Sequence, residues 1–176
     1  MTMRRHLRLL ADQDGTAVIE LALVAPVLAL CAIGVIDLSN AYGRKLALEQ
    51  GAQRAIEKVM QTTEVDTVEN TLKTEAVCQV NGMTNGTCNT SPITTSNVTV
   101  TYRLECVNGT TISSTQSTTD STTFDAFTCN SGEREQKYME VKVTDKYSPM
   151  FPIHFAGFTS SDGTYHLSAT AGVRTK

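Results

Sequence analysis

Residues 11–30 read ADQDGTAVIELALVAPVLAL, and the apolar run continues as CAIGVI to Ile36. From Thr16 to Ile36 the only strongly polar side chain is Glu20, one helical turn beyond Thr16. Twenty-one residues at about 1.5 Å each reach across a hydrocarbon core of roughly 30 Å, so 16–36 has the length of a membrane-spanning helix. Its eleven Leu, Ile and Val side chains each favour insertion by about 0.3 to 0.6 kcal/mol, whereas a charge at the centre costs about 2.5 to 3.5 kcal/mol and less near an edge. Glu20, close to the start of the run, is tolerated at a cost. Arg4, Arg5, His6 and Arg8 precede the span. The positive-inside tendency therefore keeps the N-terminus in the cytoplasm and sends everything after Asp37 across the membrane, with the lipid bilayer as the first partner.

The 176 residues leave room for one modest domain besides this anchor. A net charge of −3, with Lys and Arg spread out beyond the N-terminus, offers no basic face for nucleic acid. Cys31 lies in the span, and Cys78, Cys88, Cys106 and Cys129 form an even set in the exported part, consistent with an oxidising compartment. Pairing Cys78 with Cys88 and Cys106 with Cys129 is favoured because each pair brackets a loop-like segment. Other pairings, or free thiols, remain open. No CxxC spacing suggests a metal site.

Past the span, Leu38, Tyr42, Leu46 or Leu48, Ala52, Ala55, Ile56 and Val59 recur at three- and four-residue steps. Arg44, Lys45, Glu49, Gln50, Gln53, Arg54, Glu57 and Lys58 fill most of the other faces. An amphipathic helix continuing the span would make one rod of nearly 70 Å, with Pro26 as its candidate kink; a hinge followed by an independent short helix is the alternative. Thr62 to Cys78 reads as either a short helix or a loop, and turn-formers such as NGMTNGT dominate up to Asn97.

Alternation then marks strands. Val98, Val100, Tyr102, Leu104 and Cys106 share one face; Met139, Val141 and Val143 share another; Tyr165, Leu167, Ala169, Ala171 and Val173 a third. Their apolar faces need a cover, and the helix after Leu38 supplies one. The reading is α+β, a long N-terminal helix packed on a small antiparallel sheet with disulfide-bridged loops. It divides into a basic leader (1–15), a membrane-spanning helix (16–36), an amphipathic helix continuing outside the membrane (37–61) and an extracytoplasmic α+β domain (62–176) whose Ser/Thr-rich stretch 107–136 is a long exposed loop.

No catalytic constellation is present in the sequence. His154 and His166 belong to no recognisable motif, and Asp120, Asp125 and Glu133 to Glu135 lack calcium-loop spacing. The expectation is a protein that is not an enzyme, with no cofactor and no metal.

Glu20 has bland readings, as a snorkelling or protonated acid or as a group facing another helix. A sharper one follows if the backbone is cut between Gly15 and Thr16. Thr16 would gain an α-amino group of pKa near 8, and a cation and an anion would stand one turn apart at the head of an apolar helix. Pairing within the chain, or with the amine of a neighbouring subunit, would then set the stagger between helices.

GTAVIE, Pro26 six residues after the acid, and IDLSNAYGRKLALEQGAQRAI resemble the TadE-like (TadE/TadF) minor pseudopilins of the tight-adherence (Tad/Flp, type IVc) pilus system. MEVKVTDKYSPMFPI and YHLSATAGV extend the resemblance to strands flanking a proline-bearing turn, while Thr62 to Lys137 lies outside it. The resemblance implies a pilin-like fold, cleavage after Gly15 by a prepilin peptidase, and a mature chain starting at Thr16 with Glu20 as its fifth residue. Partners implied with it are other pilins or pseudopilins of the Tad system and the inner-membrane assembly platform, and the location is the bacterial inner membrane with a periplasmic domain. The position after the acid, aromatic in many such precursors, is Leu21 here. A permanently anchored single-pass adhesive or binding protein that joins no filament is the competing reading.

Overall fold

The computed structural model describes residues 14–61, 69–151 and 160–175. Arg4, Arg5, His6, Arg8 and His154 lie outside them. One helix, α1 (Asp14–Gln61), runs for 48 residues, about 72 Å of rise. It passes Pro26, Gly34, Gly43 and Gly51 without ending, so the span and the amphipathic segment are one rod and no hinge separates two helices. Between Val18 and Ile36 every large apolar side chain except Ile33 is exposed. From Asp37 onward one face is covered, through Asp37, Ala41, Leu48, Gly51, Ala52, Ala55, Ile56 and Val59.

That stripe differs from the expected one at its beginning. Leu38, Tyr42 and Leu46 are exposed, because the sheet and its connector meet α1 on the side of Asp37, Ala41 and Arg44. The two stripes merge only from Leu48. Small residues dominate the buried face, which lets the backbones approach closely. At Gly51 an added Cβ would lie 2.5 Å from Val80 Cγ2 and 3.0 Å from the Ala76 carbonyl oxygen. The partner there is α2 (Glu69–Asn81), in the region where the sequence allowed either a helix or a loop; it buries Leu72, Ala76 and Val77.

Beyond α2 a short hairpin, β1 (Met83–Thr84) and β2 (Thr87–Cys88), turns at Asn85 and Gly86, both at positive φ (52° and 78°). This is the two-residue geometry that Asn-Gly favours. Asn81 anchors the segment that follows: its amide donates to the carbonyls of Asn89 and Ile93 and accepts from the Ile93 N–H. The main sheet contains β3 (Val98–Asn108), β4 (Thr111–Thr118), β5 (Arg134–Tyr147) and β6 (Tyr165–Arg174), antiparallel throughout in the order β4-β3-β5-β6. Val98, Val100, Tyr102, Leu104 and Cys106 face the core with Met139, Val141, Val143 and Ala169. α1 packs on β5 and β6, and α2 packs on β3.

The Ser/Thr-rich stretch 107–136 is not one long loop. Gly109 (φ 63°) turns β3 into β4, and Asp120 caps a short helix, α3 (Ser121–Asp125). Phe124 of α3 stacks on Tyr102 with ring centroids 5.3 Å apart, and Phe127 meets Phe124 edge-on at 5.9 Å. Burial, followed by the charges of Glu69, Asp125 and Asp120, pushes the Tyr102 hydroxyl pKa up. Disulfides join Cys78 to Cys88 and Cys106 to Cys129, the pairing favoured from the sequence. Each bridge contributes about 3 kcal/mol in the chain-entropy account.

The contact at Gly51 yields a prediction. Gly51→Leu gains helix propensity of up to about 1 kcal/mol but must push α2 away, an overpacking cost of about 1 to 3 kcal/mol. Urea denaturation of the full chain in detergent, followed by circular dichroism, is expected to show a lower midpoint. An unchanged or higher midpoint would mean that α1 and α2 are not held this close.

Candidate functional site

The candidate functional residues lie along α1, in two stations 17 residues apart, Glu20 and Asp37. Gly15 and Thr16 fall in the first turn of the helix. Glu20 is exposed among Ile19, Leu21 and Val24, themselves exposed, and it forms no ion pair with any described residue. A helix apolar on all sides belongs in lipid or among other helices, and a carboxylate there is costly until it is paired. Pro26, inside this section, has no N–H and leaves the carbonyl one turn before it without its helical donor.

The second station is polar and closed. Asp37 is 2% exposed. Its carboxylate accepts from the backbone N–H groups of Met150 (2.8 Å) and Phe151 (3.2 Å), in the connector that leaves β5. One turn on, the Asn40 amide donates to Met150 Sδ at 3.4 Å. One further turn on, Arg44 Nε donates to Asp145 Oδ2 at 2.7 Å, with side chains 17% and 10% exposed. Arg44, placed on a solvent face by the helical periodicity, is thus turned inward by a partner on β5. Its Nη2 is buried without a hydrogen-bond partner among the described residues. Tyr147, stacked on Tyr165 at 6.2 Å, has its pKa raised, first by burial and then by the charge of Asp37. Asp37, Asn40 and Arg44 thus clamp the Tyr147 end of the sheet to α1. Sequence reasoning used Asp37 only as a boundary; the available signal was an acid directly after the apolar run with an arginine two turns later.

Two further carboxylates, Asp120 and Asp162, have structural partners. Asp120 accepts from the hydroxyls and N–H groups of Thr122 and Thr123 at the head of α3, chiefly the Thr123 hydroxyl, and its pKa falls. Asp162 receives His166 Nε2 at 2.9 Å, the Thr164 hydroxyl at 2.7 Å and Lys146 Nζ at 3.0 Å, which together hold its carboxyl well below the usual range. Cys106, Cys129 and Glu133 come within ligating distance of one another, but both sulfurs are consumed in the bridge and no thiolate is left to bind a metal.

The clamp leads to a prediction on stability. Asp37→Ala strands two backbone donors at about 1 kcal/mol or more each, so the full chain in detergent should lose roughly 2 kcal/mol in urea. Asp37→Asn, which keeps one acceptor oxygen, should lose less. Equal stability of Asp37→Ala and the parent would remove the clamp from the account.

No curated protein and no solved structure matches the chain significantly. The family model described as TadE-like protein matches residues 15–56, from the glycine before Thr16 through Glu20, the apolar section and the clamp residues, and ends before the sheet. Over residues 15–56 the chain is therefore similar to the TadE-like family, in agreement with the resemblance read from GTAVIE, Pro26 and IDLSNAYGRKLALEQGAQRAI; the match does not reach MEVKVTDKYSPMFPI or YHLSATAGV.

Proposed function

We propose that the chain is a minor pseudopilin of a Tad/Flp pilus, inserted through 16–36 as a single-pass inner-membrane protein, cut after Gly15 by a prepilin peptidase, and used to initiate or support assembly of an adhesive filament. The TadE-like match over 15–56 is the observation that carries this reading, since it associates the chain with Tad pili. The exposed apolar section of α1 is compatible with a single pass through a membrane. Leu21, in place of an aromatic, bears on cleavage efficiency rather than on class.

The physical chemistry of the proposed role is short. Cleavage removes the basic leader and creates an ammonium at Thr16, about 6 Å along the helix axis from Glu20. In a medium poorer than water the two charges attract strongly, and each is costly alone. Paired between neighbouring subunits, they fix how far one helix is staggered against the next while the apolar faces pack. The protein performs no chemistry of its own in this role; other pilins or pseudopilins of the system and the assembly platform are its partners.

Two substitutions test it. Glu20→Ala should leave membrane insertion intact and sharply reduce surface piliation; normal pilus counts in a strain carrying only this variant would count against charge pairing. Gly15→Leu should block maturation, read as retention of the precursor mobility on a gel. A mature band from that variant would place the cut elsewhere.

A further inference from the structure

We propose that the turn at Met150 and Phe151 is a second membrane contact, seated at the headgroup–acyl boundary of the leaflet from which α1 emerges. This rests on the proposed insertion of α1. Position is the first argument. Asp37 is the first residue after the apolar run, and the Met150 and Phe151 N–H groups are hydrogen-bonded to it. Wherever the exposed apolar section of α1 ends in the bilayer, these two residues are level with that end.

Chemistry is the second. Met150 is 67% exposed although its backbone is tightly held, and Phe151 is only partly covered. Tyr147 and Tyr165 stack beside the turn, and Tyr42 is exposed one turn and a half above Asp37. Tyrosines with an apolar body and a polar tip settle at the interface between lipid and water. Two acids at this level are withdrawn, Asp37 by burial and Asp145 by pairing with Arg44, and the third, Asp162, is exposed but bonded to Lys146 and His166. Lys45 and Lys146 stand close by with their side chains well exposed, each in a surface ion pair, with Glu49 and Asp162, and long cationic chains of this kind can exchange such a partner for a headgroup.

Backbone satisfaction is the third. A turn that leaves water loses the solvent that would bond its N–H groups, so those donors need an internal acceptor. Asp37 supplies one to both, so neither of these two N–H groups would enter lipid unpaired. With α1 and this turn both held at the bilayer, the sheet has a defined tilt: β5 rises from Tyr147 at the membrane to Arg134 at the far end, where Ile112 of β4 also lies, across β3.

The chain contains no tryptophan, so single indole reporters read depth directly. Full-length Met150→Trp, Val27→Trp and Ile112→Trp would be reconstituted separately in vesicles of phosphatidylcholine and phosphatidylglycerol brominated near the headgroup end of the acyl chains. Phe151→Trp serves as a second reporter of the turn. The proposal expects the indole at position 150 or 151 to lose most of its emission to the bromines and to resist aqueous iodide, as the one at position 27 resists iodide, while the one at position 112 behaves oppositely. An indole at 150 and 151 open to iodide and unquenched by bromine, with position 27 shielded, overturns the turn contact and leaves the anchor standing. Exposure at position 27 as well overturns both. A blue shift at 150 that appears only as protein density rises, without bromine quenching, assigns the turn to a second copy of the chain and also overturns the proposal.

Discussion

Everything in this molecule depends on α1 being one uninterrupted helix that serves two surroundings. Its first half exposes apolar side chains all round and has to be covered by something other than water. Its second half buries one face against α2 and the sheet. The changeover falls at Asp37, whose carboxylate is spent on the backbone of the Met150–Phe151 turn. Because helix and sheet are pinned within a turn or two of that point, by Asp37, Asn40 and Arg44, the folded domain cannot swing freely about the end of the apolar section. A displacement of the apolar half along its axis would carry the sheet with it.

This rigidity gives the proposed charge pair its meaning. If Glu20 sets the stagger between neighbouring helices, the stagger reaches the folded domains through one continuous helix that is pinned to its sheet. The close approach at Gly51 and the small residues Ala52 and Ala55 extend the same rigidity upward, since little side-chain volume separates the helices. The disulfides work further out, Cys78–Cys88 holding the hairpin to α2 and Cys106–Cys129 holding the segment after α3 to β3.

How much of this could be read from the residues follows from where each signal resides. The apolar run and the core rows of β3, β5 and β6 announce themselves because their periodicity is imposed by burial. β4 does not, since Thr111–Thr118 is an edge strand with almost no buried face and its Ser and Thr side chains look like loop. α2 is marked by only three buried side chains. Asp37 and Arg44 were legible as residue types but not as a clamp, because their partners Met150 and Asp145 lie more than 100 positions away. The buried stripe of α1 was misplaced at Leu38 and Tyr42 for the same reason: the pattern there records what surrounds the helix, and polar partners turn a different side inward. Glu20 was legible through its spacing from Gly15, although no described residue pairs with it.

The account therefore turns on whether Glu20 receives a new cation. Intact-mass analysis combined with N-terminal sequencing of the protein purified from its native membrane reads this directly. The account predicts a chain that begins at Thr16 with a free α-amino group. A chain that still carries its Arg-rich head from Met1 would contradict it and leave a permanently anchored protein in its place.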